Sequence, residues 1–150
     1  MKKNALVGRP MEILLIEDDF HDARLTMTSL KERKVENRLT LIRDGKEAME
    51  FLHQEKRFCQ APRPDLILLD LSLPKKDGRE VLTEIKSDEN LQSIPIVILT
   101  GSMSEEDRLR AEQLQVEGYI TKPVDYEHFL ALIEELTRHW REDVILPSTS

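Results

Sequence analysis

The sequence predicts an α/β fold: one open, doubly wound sheet of five parallel strands with helices on both faces. Two observations predict it. Short apolar runs alternate with helical patterns along the chain, and four of those runs end on a chemically loaded residue. Residues 11–16 run into Glu17, Asp18 and Asp19, 66–69 into Asp70, 94–99 into Thr100, and 119–121 into Lys122. Runs that stay apolar rather than alternating belong to strands covered on both faces, and sheets covered in that way are typically parallel. If these strands are parallel, all four endings lie along one edge of the sheet.

The first strand is the run ending at Ile16. A helix is expected from about 20 to 33, with Ala23, Leu25, Met27 and Leu30 on its inner face. Residues 39–42 form the second strand, and Asp44-Gly45 marks the turn after it. From 46 to about 58 the positions Ala48, Met49, Phe51 and Leu52 have helical spacing. The prolines at 62 and 64 stop that helix, and 65–70 is the most hydrophobic strand. After a turn over 73–78, a helix covers 79–87 and the fourth strand covers 94–99. Ser104 followed by Glu105, Glu106 and Asp107 reads as an N-cap with acids in the first turn, favourable against the helix dipole. That helix runs to near Gly118, a fifth short strand covers 119–121, and Asp125 caps a last helix reaching about Trp140. Its inner stripe is Phe129, Leu130, Ile133 and Leu136.

Five β-α units in about 130 residues suit right-handed crossovers in a three-layer flavodoxin-like sheet of order 2-1-3-4-5, too few for an eight-fold barrel. The organisation follows: an extension over 1–10, one domain over 11–140, and a tail over 141–150. Such sheets place their sites outside the carboxyl ends of the strands, at the switch between strands one and three. Those ends are Glu17-Asp18 and Asp70.

Composition narrows the function classes. The chain has 150 residues and a net charge of −7, and its single cysteine, Cys59, excludes an internal disulfide or a zinc site of several thiolates. The negative charge, with no basic stripe interleaved with aromatics, argues against nucleic acid as a partner. No apolar run approaches the roughly 18 residues of a membrane span, and the N-terminal apolar stretch is too short for a signal peptide, so a cytoplasmic protein without a membrane partner is expected.

Crowded carboxylates repel, and their pKa values rise unless a cation neutralises them. Mg²⁺ suits this site because it takes oxygen ligands, keeps several waters and is often held by one or two carboxylates plus a phosphate. Asp19 reads as a helix cap rather than a ligand. Asp70 is the candidate nucleophile, since a carboxylate can attack phosphorus to form an acyl phosphate. Such a transfer depends on positioning and charge neutralisation, which Lys122 and the Thr100 hydroxyl can supply beside the cation.

Four motifs in this order resemble the receiver domain of two-component response regulators: Leu14-Leu15-Ile16-Glu17-Asp18-Asp19, the stretch from Asp65 through Asp70 to Pro74-Lys75-Lys76-Asp77-Gly78, Ile96 to Gly101, and Gly118-Tyr119-Ile120-Thr121-Lys122-Pro123. The resemblance spans about 11–140. It implies that Asp70 accepts a phosphoryl group from a phosphohistidine of a sensor histidine kinase. It further implies Asp18 as a direct Mg²⁺ ligand, Glu17 acting mainly through water, and the Ser72 backbone carbonyl as another ligand. Lys122 would pair with the phosphoryl oxygens, with a cis bond to Pro123. Thr100 would move toward the phosphoryl group while Tyr119 swings inward. Ser72 and Gly101 depart from the commonest pattern, at places that influence the phosphate lifetime.

Closer details look like the receivers that partner bacterial and cyanobacterial phytochrome kinases. These are the Ala61-to-Leu71 run, the Pro74-to-Leu82 turn and helix start, and Trp140 followed by Val144-Ile145-Leu146-Pro147. That likeness implies a homodimer through the last helix, fifth strand and tail. The residues themselves leave two outcomes open, since Trp140, Val144, Ile145 and Leu146 either associate with another chain or fold back on their own domain. The expected protein is therefore a signalling switch, active only in its own phosphoryl transfer and dephosphorylation, or else a phosphorelay intermediate. A Mg²⁺-dependent phosphohydrolase with Asp70 as nucleophile competes, but Ser72 stands where haloacid-dehalogenase-type enzymes usually carry their second aspartate. A flavodoxin-type cofactor carrier is disfavoured because Glu17, Asp18 and Asp19 would repel a flavin phosphate.

Overall fold

A computed structural model describes residues 9–31, 36–101, 104–122 and 124–136. Five parallel strands lie in the order β2-β1-β3-β4-β5, where β1 is Met11–Ile16, β2 Asn37–Ile42, β3 Leu66–Asp70, β4 Ile96–Thr100 and β5 Gly118–Thr121. Five helices connect and cover them: α1 Phe20–Leu30, α2 Gly45–Leu52, α3 Gly78–Ser87, α4 Glu105–Gln113 and α5 Tyr126–Glu135. The expected class, strand order and layering are those of the structure.

The two faces divide by residue parity, because successive strand side chains point to opposite sides. Ile13, Leu15, Leu66, Leu68, Val97 and Leu99 pack with Ala23 and Leu30 of α1 and with Phe129 and Ile133 of α5. Leu14, Ile16, Ile67, Leu69, Ile96 and Ile98 pack with α2 and α3 through Met49, Phe51, Val81, Leu82 and Ile85. Each large apolar side chain buried in this way contributes about 1.5–3 kcal/mol before conformational entropy is counted. This two-sided burial explains why the central strands read as unbroken apolar runs.

Capping follows the sequence closely. Asp19, Asp44, Ser104 and Asp125 each accept from the backbone N–H three residues on, at 2.9, 2.7, 3.0 and 2.9 Å. Asp19 is therefore the cap of α1, as expected.

The helix expected over 20–33 ends at Leu30, the strand expected over 39–42 begins at Asn37, and three further boundaries are corrected. The helix expected to reach 58 stops at Leu52, where Gln54 and Lys56 adopt left-handed φ values of 57° and 54°, and a separate 3-10 turn at Lys56–Phe58 follows. Residues 53–57 are all polar and offer no apolar side chain to hold a further turn. Phe58, two helical turns after Phe51, nonetheless meets it edge-to-face at 5.4 Å across the break. The helix expected to run to near Gly118 ends at Gln113; Gln115 is left-handed at φ 60°, and Leu114 and Val116 turn onto the α2/α3 face. β4 begins at Ile96, because Ile94 closes a turn by donating to Leu91 O and Pro95 has no N–H to donate. The expected cis-proline, Pro123, and the association residues Trp140, Val144, Ile145 and Leu146 lie outside the described residues.

Candidate functional site

Parallel register brings the strand endings together. Ile16 lies beside Leu69, Asp70 beside Leu99, and Thr100 beside Thr121. Glu17, Asp70, Thr100 and Lys122 consequently leave the sheet along one edge. The backbone continues this alignment past the strands, with Lys122 N–H donating to Thr100 O at 2.8 Å.

The centre of the site is the Lys122 ammonium. Its Nζ donates to Glu17 Oε1 at 3.1 Å, Asp22 Oδ2 at 3.0 Å and Asp70 Oδ2 at 3.2 Å. Lys122 is 14% exposed and Glu17 fully buried, so these contacts are poorly screened by water. The other Asp70 oxygen, Oδ1, accepts from Ser72 N–H at 3.1 Å, and Glu17 Oε2 accepts from Asp19 N–H at 3.2 Å.

Three carboxylates around one ammonium leave an excess of negative charge. Burial first, and then the Asp70 carboxylate beside it, push the Glu17 carboxyl well above the usual range. Burial works against the charge on Lys122. The hydrogen bond to Asp22 and the charges of Asp70 and Glu17 outweigh that penalty and hold its pKa above the ordinary value.

A cleft of about 650 Å³ opens beside this cluster, lined by Asp70, Ser72, Thr100, Gly101 and Lys122 and also by His21, Asp22, Arg79 and Asp107. Asp18 stands apart: its side chain is 49% exposed and its Oδ1 lies 3.5 Å from Arg43 Nη2. Tyr119 is half-buried on the α2/α3 face rather than in the cleft lining. Burial, followed by the charge of Glu112, raises its phenol pKa.

The structure thus gathers Glu17, Asp70, Ser72, Thr100 and Lys122, and leaves Asp18 and Tyr119 at the margin. Sequence reasoning missed Asp22, Arg79 and Asp107. Asp22 lies three residues past the α1 cap, so a first-turn acid folding back over the strand end was its available signal. His21 is exposed and lines the cleft.

The donor chemistry suits a hard cation. Among the described residues no three acidic, histidine or cysteine side chains surround a common metal position. Mg²⁺ needs only one or two carboxylates and otherwise keeps water, and the surplus of oxygen donors over positive charge at Glu17 and Asp70 favours it.

Comparison with known proteins agrees with this architecture. The family described as response regulator receiver domain matches residues 13–134. The response regulator Rcp1 of Synechocystis sp. is 44% identical over 139 residues, covering 93% of this chain and 95% of that protein. The crystal structure of the Mn²⁺-bound form of Rcp1 superposes with a TM-score of 0.74 over 93% of this chain and 100% of that one. The phosphorylated cyanobacterial phytochrome response regulator RcpA superposes at 0.75 with 44% identity, over 93% of this chain and 99% of that one.

Proposed function

The chain belongs to the response regulator receiver family and is related to phytochrome response regulators, and on that premise we propose that Asp70 accepts a phosphoryl group from a phosphohistidine of a phytochrome-type sensor kinase. One observation carries the choice of Asp70. Its carboxylate emerges from a fully buried strand, held at one oxygen by Ser72 N–H and at the other by the Lys122 ammonium.

In the transfer, a carboxylate oxygen of Asp70 bonds to phosphorus as the P–N bond to the donor imidazole breaks, and the imidazole nitrogen keeps the bonding pair. Charge moves outward from the carboxylate onto the phosphoryl oxygens. Lys122 follows that charge, because its three N–H donors can leave Glu17 and Asp22 for stronger acceptors. The Thr100 hydroxyl donates to a phosphoryl oxygen, and Tyr119 moves into the space behind it. Asp18, Asp70 and the Ser72 carbonyl would hold a divalent cation, Mg²⁺, with Glu17 acting through water. When bound, the cation supplies positive charge against the phosphoryl oxygens. Asp18 must leave Arg43 to take this part, which its exposed position permits.

The domain runs over 11–140. α5, β5 and the tail with Trp140, Val144, Ile145 and Leu146 form the surface that pairs two copies, and the signal passes by protein contact. Beyond its own transfer and dephosphorylation the chain catalyses no turnover, and it works in the cytoplasm. The charge of −7 opposes nucleic-acid contact. Among the described residues no helix is long and apolar enough to cross a membrane.

The test is phosphoryl transfer from a phytochrome histidine kinase with Mg²⁺, read by intact mass. Wild type gains one phosphate and Asp70→Asn gains none. Equal labelling of both proteins would reject the acceptor, and labelling by a small phosphodonor but not by the kinase would reject the partner.

A further inference from the structure

The cleft that Lys122 lines holds a second cation that phosphoryl acceptance, as described above, leaves unused. Arg79 is the second residue of α3, and its guanidinium makes a two-pronged pair with Asp107 in the first turn of α4. Nε donates to Oδ1 at 2.7 Å and Nη2 to Oδ2 at 2.8 Å. The remaining arm, Nη1, reaches Leu71 O at 3.4 Å and both Asp77 carboxylate oxygens at 3.2 Å. Arg79 and Asp107 line the same cleft as Asp70, Thr100 and Lys122.

The base of this arm is fixed. Gly78 N–H donates to Leu71 O at 3.0 Å, and a Cβ on Gly78 would come within 2.4 Å of Asp70 O. The first turn of α3 is therefore seated on the backbone of the acceptor itself, and a guanidinium one residue on is within side-chain reach of what forms at Asp70.

α4 has little else to hold it. Its sequence is strongly polar; among its described side chains Ala111 is the buried one, and Leu109 is 57% exposed. α3, by contrast, buries Val81, Leu82 and Ile85. The Asp107 carboxyl is held below its usual range by the Arg79 hydrogen bond, against a smaller opposing effect of burial.

A guanidinium fork matches phosphoryl oxygens as well as it matches a carboxylate, and a phosphoryl group carries nearly twice the charge. We propose that Arg79 is a phosphoryl-sensing residue: held by Asp107 when Asp70 is unmodified, it turns to the phosphoryl group and frees the N-terminal turn of α4. This proposal rests on the assignment of Asp70 as acceptor.

The test compares backbone hydrogen exchange over 105–113 in the full chain, with and without phosphorylation from a small phosphodonor and Mg²⁺, with labelling read first by intact mass. Phosphorylation of wild type raises exchange in this segment several-fold. Asp107→Asn exchanges at the raised rate before phosphorylation and changes less than two-fold after it. Arg79→Gln matches Asp107→Asn, the double variant adds nothing further, and Arg79→Lys restores part of the response. A labelled wild type with unchanged α4 exchange overturns the proposal alone, as does Asp107→Asn responding like wild type. Failure of wild type to take up label overturns the acceptor assignment, and this proposal with it.

Discussion

Lys122 balances three carboxylates that would otherwise repel, so its removal should have two opposite effects. Lys122→Ala should lower the stability of the cation-free protein by ~3 kcal/mol, as expected when one partner of a buried pair is lost, measured by urea unfolding. It should also bind Mg²⁺ more tightly than wild type in calorimetry, because a competing positive charge is gone; equal or weaker binding would contradict this balance. The Arg79–Asp107 pair predicts a pH dependence of definite sign. Asp107 has a lowered folded pKa, so it stabilises fully above the usual carboxylate range and loses that contribution as pH falls through its lower folded value. The stability gap between wild type and Asp107→Asn, ~1 kcal/mol for a pair that is partly exposed on its arginine side, should be present at neutral pH and vanish in acid. A gap constant down to acid pH would contradict the pairing. The strand-end residues Glu17, Asp70, Thr100 and Lys122 were legible in the sequence because parallel register alone aligns them. Asp22, Arg79 and Asp107 were not, because their meeting depends on helix phase and on side chains spanning separate elements.

The elements differ in what holds them, and the site uses the difference. α3 is anchored by its apolar face and by Gly78 pressed against Asp70 O and Leu71. Gly78→Ala should displace that turn, costing about 1–3 kcal/mol as overpacking does, and should slow phosphorylation more than a core substitution of equal cost. Equal slowing by both would mean that the turn affects the acceptor only through global stability. α2 is similarly seated, since a Cβ on Gly45 would meet Lys76 O at 1.9 Å, and the sequence marked this place only as a turn. Strands and caps were legible because burial on two faces and Asp or Ser before a helix leave direct marks. Helix ends were less so. The seven-residue spacing of Phe51 and Phe58 mimics a continuous helix although the chain breaks between them. α4 lacks an apolar stripe that would have shown its stop at Gln113.

At the scale of the whole molecule, one topological fact makes the site. The order β2-β1-β3-β4-β5 places β1 beside β3, so an acidic turn and an acceptor far apart in sequence share an ammonium from beyond β5. That arrangement was readable from element count and length. The proposed outlet of the signal was marked in the sequence only by an apolar tail. Sedimentation of a chain ending at Trp140 should show a loss of self-association relative to the full chain, and an unaltered dimer would show that residues 141–150 are dispensable for pairing. The central claim, that the converging strand edge makes Asp70 a phosphoryl acceptor, is tested most directly by chemical trapping. The chain is phosphorylated with Mg²⁺, reduced with borohydride and mapped by peptide mass. Reduction of an acyl phosphate should leave homoserine at position 70, dependent on both Mg²⁺ and phosphodonor. Phosphate recovered on a histidine such as His21, or homoserine at another aspartate, would contradict it.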